Sequence, residues 1–80
     1  MKIPIIKKLV ENYSVKELEK AEIDITEGNE PAIEIEGNDE GEQLTHVLAA
    51  VWIHYEMDKK KLEFKDALRE YTKKVRDSIN

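Results

Sequence analysis

The sequence predicts a mainly α fold: a small bundle of about four helices around a central apolar helix, with one short extended segment at about 32–36. Three observations carry this. Residues 44–57 (LTHVLAAVWIHYEM) are apolar around most of a helical circumference, as in a helix that is buried centrally or packed against another chain. Phe64, Ala67, Leu68, Tyr71, Val75 and Ile79 recur at the i, i+3, i+4, i+7 spacing of an amphipathic helix. Ser14-Val15-Lys16-Glu17, just ahead of Leu18, has the form of a capping box and marks a helix start.

The first helix is expected over about 3–12. Pro4 suits its first turn, where a missing N–H costs nothing, and Ile3, Ile6, Leu9, Val10 and Tyr13 follow at helical spacing. The second starts at Val15, presents Val15, Leu18, Ala21 and Ile25 on one side, and stops near Gly28-Asn29. Its end is ambiguous. Residues 22–26 and 32–36 both alternate with period two around a Gly-Asn turn, so a small hairpin competes with a helix through about 27. With the helix, Ile33 and Ile35 remain as one short extended segment, and a lone two-stranded hairpin would be marginal.

Asp39 and Glu42 then place a capping oxygen and a carboxylate at the start of the third helix, which runs to about Lys60. Around it, Leu44, Val47, Leu48, Val51, Trp52 and Tyr55 share one side, expected to face the core. Ala50, Ile53 and Met57 fall on nearly the opposite side. If the short elements cannot cover that second side, it marks a homodimer or docking surface; the alternative is that the first, second and fourth helices surround the third completely. Lys59-Lys60-Lys61 suits the negative end of this helix dipole, and a last amphipathic helix spans about 63–78.

Eighty residues make one helical domain, 1–80. A chain this short buries only about 60% of the surface its unfolded form exposes, so dimerisation would help it. The absence of cysteine excludes disulfides, zinc-thiolate sites and thiol nucleophiles. The N-terminal apolar stretch before Lys7 and Lys8 is too short for a signal sequence or a membrane span, which points to the cytoplasm. The net charge of −5 is unevenly laid out: residues 17–42 hold eleven acids and only Lys20, between basic ends. An overall negative field opposes nucleic-acid binding, which relies on Lys and Arg to displace counterions.

Candidate chemistry is thin. The turn 36–42 carries oxygen side chains at positions 1, 3 and 5 and Gly at 6 of a calcium loop, but Val47 stands where position 12 needs a bidentate Glu. Glu36, Asp39, Glu40, Glu42 and His46 thus form a candidate ligand or divalent-cation turn, against the simpler reading of a solvated turn and helix cap. His46 and His54 lie eight residues apart, too far along a helix to share an ion, and Glu42 and Asp58 offer each a local i,i+4 partner. Ser14 is better used as a cap, Ser78 sits at a fraying end, and Gly37–Gly41 is ringed by carboxylates that repel phosphate. No catalytic residue, metal site or cofactor is expected, and the chain does not read as an enzyme. Lys65, Arg69, Lys73 and Arg76 make a basic stripe that could meet nucleic acid or an acidic partner, though i,i+4 pairs such as Glu70 with Lys74 and Lys73 with Asp77 suit an ordinary charged face.

The stretches MKIPIIKKLVE, PAIEIEGNDEGEQLTHVLAA and FKDALREYTKKVRDSI together resemble a family of short uncharacterised proteins of Bacteroidetes-type bacteria, a domain of unknown function. The resemblance covers nearly the whole chain. It implies an all-helical or near-helical cytoplasmic protein with no activity, cofactor or catalytic residue to carry over. An association with thioredoxin and peroxiredoxin genes would imply an accessory role to thiol redox proteins. Residues 22–29 look more strand-like than that family. The expected function is a non-enzymatic protein-interaction module, with a homodimer as one form of it and Ala50, Ile53 and Met57 as its surface; the alternative is a small ligand or cation sensor.

Overall fold

The computed structural model describes residues 2–79, and they form four α-helices: α1 (Ile3–Asn12), α2 (Val15–Thr26), α3 (Glu40–Lys60) and α4 (Phe64–Ile79). Each boundary has a local cause. Pro4 occupies the first turn of α1. The α2 capping box forms in full: Glu17 N–H donates to Ser14 Oγ at 3.2 Å, and Ser14 N–H donates to Glu17 Oε1 at 3.0 Å.

At the other end of α2, Gly28 takes φ +81°. Asn29 N–H reaches Asp24 O at 2.7 Å and Gly28 N–H reaches Ile25 O at 3.1 Å, the paired bonds of a Schellman stop. The same device ends α3 on a residue ill suited to it. Lys61 sits in the left-handed region at φ 57°, ψ 44°, and Leu62 N–H reaches back to Met57 O at 3.1 Å.

α1, α2 and α4 each pack on α3, which is therefore the centre of the bundle. One core draws Ile6, Leu9 and Val10 from α1, Leu18, Ala21 and Ile25 from α2, and Val47, Ala49, Ala50 and Ile53 from α3. Among the described residues α4 adds only Ala67 to the fully buried set, with Phe64, Leu68 and Tyr71 half-buried at the edge.

Two expectations are corrected here. No strand forms among the described residues, so the extended segment or hairpin at 32–36 is absent. With residues 22–26 committed to α2, that stretch has no partner to pair with, and a two-stranded ladder alone would be marginal. Its apolar residues are used as plugs: Ile35 is buried and Ile33 half-buried against the core.

The expected core side of α3 is used only in part: Val47 is fully buried and Leu44, Val51 and Trp52 pack against the core, while Leu48 and Tyr55 are exposed. Ala50 and Ile53 are fully buried and Met57 is half-buried against the core, so the expected docking side is the inner side. Helices approach to about 8–10 Å only where the side chains between them allow it, and Ala49 and Ala50 supply that space. The bulkier Leu48 and Tyr55 point outward instead.

Candidate interaction surface

Along the outer side of α3, Leu44, Leu48, Val51 and Tyr55 are spaced by four, three and four residues, the pattern of a coiled-coil seam. Leu48 is 43% exposed and Tyr55 52% exposed, while Leu44 and Val51 beside them are half-buried and pack against the edge of the core. Singly exposed apolar residues are ordinary, and Ile3 and Ile23 on other helices belong to that class. Leu48 and Tyr55, two turns apart on one helix face and flanked by the half-buried Leu44 and Val51, are a different feature.

α4 borders this stripe on one flank. The Tyr71 ring packs on Trp52 with centroids 5.5 Å apart at 51°, and Lys74 Nζ lies 6.0 Å from the Trp52 ring centroid. Partial burial raises the Tyr71 hydroxyl above its ordinary value of 10.0. The ends of α3 differ in charge: Asp39, Glu40 and Glu42 stand at the start, and Lys59, Lys60 and Lys61 outnumber Glu56 and Asp58 at the end. Lys60 Nζ is held between Glu56 Oε2 and Glu70 Oε1, both at 3.1 Å, which joins α3 to α4. The contact with Glu56 first, and that with Glu70 second, raises Lys60 above its ordinary value of 10.5. Lys59 and Glu40 are exposed and make no ion pair among the described residues.

The acidic turn is organised as a helix cap. Asp39 Oδ1 accepts from Glu42 N–H at 2.8 Å, and Glu42 Oε1 accepts from Asn38 N–H at 3.0 Å. Glu36 Oε2 lies 3.7 Å from Lys8 Nζ. Glu40, on the exposed first turn of α3, does not join them. Among the described residues no group of three His, Asp or Glu side chains converges as a metal site would need. Gly37 is fixed by crowding rather than by any ligand, since a Cβ there would lie 2.8 Å from both the backbone N and the Cγ of Gln43.

His46 does not pair with Glu42. It is fully buried, its Nδ1 is 2.9 Å from the Glu36 carbonyl oxygen, and its Nε2 accepts from the Lys2 backbone N–H at 3.0 Å. A carbonyl can only accept and a backbone N–H can only donate, so the ring carries its proton on Nδ1. His46 thus ties the start of α1 and the turn before α3 to the central helix. Asp58 Oδ2 does lie beside His54, 3.2 Å from Nδ1. Sequence reasoning passed over Asp24, a nearly buried carboxylate met by Lys20 Nζ at 2.6 Å. The i,i+4 spacing was the available signal.

Lys65, Arg69, Lys73 and Arg76 are all exposed on α4. Lys65 Nζ stands 3.9 Å from Glu63 Oε2. Glu70 turns to Lys60 rather than Lys74, and no Lys73–Asp77 ion pair is found among the described residues.

Every described hydroxyl outside the tyrosines, save Thr26, is tied to backbone: Ser14 as the α2 cap, Thr45 to Gly41 O at 2.9 Å, Thr72 to Leu68 O at 2.9 Å, and Ser78 to Lys74 O and Val75 O. The grooves between elements differ in kind: wide open ones on the surface, such as that of about 560 Å³ beside Trp52, Glu70 and Lys74, and one narrow cleft. A cleft of about 70 Å³ between α1 and residues 34–36, lined in part by Leu9, Tyr13 and Glu36, is well below the several hundred Å³ of an ordinary small-molecule site. No helix of the described residues is long and apolar enough to cross a membrane.

The described residues thus form a mainly helical architecture of four helices, with Leu48 and Tyr55 left on the outside of the central one. The model of a family of unknown function (DUF6952) matches residues 1–80, and the chain belongs to that family. No curated protein and no solved structure matches it.

Proposed function

We propose that this chain is a non-enzymatic protein-interaction module that docks through the outer side of α3. The observation that carries the reading is the exposure of Leu48 and Tyr55 in register with Leu44 and Val51. A stripe of that spacing on one helix face is the form in which helices recognise other helices. The engagement of the serine and most threonine hydroxyls in backbone contacts also favours binding over chemistry.

The test is a Leu48→Glu/Tyr55→Glu double variant beside a Lys65→Glu/Arg69→Glu control, each compared with the parent in capture from native cells and in self-association. Both stripe side chains are about half exposed, so the double variant is expected to keep its helix content and lose its associations, while the control keeps them. Unchanged associations in the folded stripe variant, or their loss in the control alone, would overturn the reading.

A further inference from the structure

We propose that the occupant of the outer α3 face is a second copy of this chain, paired antiparallel through α3 about a twofold axis near Ala49 and Ala50. This rests on the reading of that face as a docking surface and adds the partner and its direction.

The stripe has the symmetry such a pair requires. A twofold contact is isologous, so each residue must meet its counterpart across the axis. Reversing the stripe about its own midpoint, between Ala49 and Ala50, brings Leu44 opposite Tyr55 and Leu48 opposite Val51, so apolar meets apolar along the seam. The spacing of four, three and four reads the same in both directions, which lets one face serve both copies.

Charge selects the direction. In the antiparallel pair the acidic start of one α3 lies beside Lys59 and Lys61 of the other, which outweigh the single exposed Asp58 there, twice per dimer, and the two helix dipoles oppose one another favourably. A parallel pair would set acidic end on acidic end and basic on basic. Glu40 and Lys59, which make no ion pair within the described part of the chain, are available to this longitudinal field. Lys60 is already held by Glu56 and Glu70, so its charge contributes at shorter reach to α4 than to a partner. A chain of this size also gains from covering apolar surface that its own elements leave open.

The absence of cysteine makes the geometry directly readable. Leu44→Cys and Tyr55→Cys are prepared separately and mixed under mild oxidation, and sedimentation of the parent across a concentration series gives the mass. The antiparallel register predicts a mass approaching two chains, a disulfide joining the Leu44→Cys chain to the Tyr55→Cys chain in the mixture, and little cross-linking of either variant alone. Within an antiparallel pair the two copies of position 44 are separated by about 16 Å along the axis at 1.5 Å per residue. Efficient cross-linking of the Leu44→Cys variant to itself would overturn the antiparallel register. A mass of one chain at every concentration would overturn the second copy as occupant. That result leaves the docking reading itself to be decided by whether Leu48→Glu/Tyr55→Glu loses a different protein that the parent captures.

Discussion

Two residues near the ends of α3 sit in surroundings that a helical pattern does not reveal. His46 is buried with both ring nitrogens engaged, one by the Glu36 carbonyl and one by the Lys2 N–H. The sequence offered Glu42 as its partner at i,i+4, but that carboxylate faces the turn backbone at Asn38. Contacts across ten and forty-four residues follow from packing, and spacing along one helix cannot anticipate them. Lys61 is the second case. Its left-handed backbone costs a non-glycine residue about 1 kcal/mol. Lys61→Gly is therefore expected to raise stability, with the gain from relieved strain reduced by the larger freedom glycine has when unfolded. A urea midpoint that moves upward at constant slope is the predicted result, and a midpoint that falls would show that Lys61 is held there by more than the helix stop.

Among the elements, the helices were legible because their ends carry strong signals: Ser14 and Glu17, Gly28, Asp39 and Glu42 all act as the sequence implied. The facing of α3 was not legible. Summed apolarity pointed to the side with Val47, Leu48 and Tyr55, of which Val47 is buried but Leu48 and Tyr55 are not, because the helix turns its small residues inward, where α1 and α2 must come close. Residues 32–36 misled for a related reason, since alternation tells which residues are apolar but not whether a strand exists to pair with them. α4 depends most on edge contacts, namely Trp52 with Tyr71 and Lys60 with Glu56 and Glu70. Burial raises Tyr71, and the two carboxylates raise Lys60. Both groups therefore bind protons more tightly in the folded chain, and their contribution is complete below their unfolded values. It is lost as pH rises through the folded values. Stability should fall above about pH 10, with Tyr71→Phe flattening part of that slope. Denaturant midpoints measured from neutral to alkaline pH check this, and an alkaline slope of the opposite sign would contradict it.

At the scale of the whole molecule, three helices surround α3 on its inner side and leave Leu48 and Tyr55 outside, with acidic and basic groups at opposite ends of the same helix. The proposed docking, and its antiparallel form, both depend on that one geometric fact. The most direct test is the relative cost of Ile53→Ala and Leu48→Ala, measured by denaturant unfolding at a concentration low enough to keep the chain unassociated. Ile53 is fully buried, so its truncation is expected to cost about 2–5 kcal/mol, whereas Leu48→Ala should cost less than about 1 kcal/mol. The reverse order would place Leu48 in the core and Ile53 outside, and would contradict the account at its root.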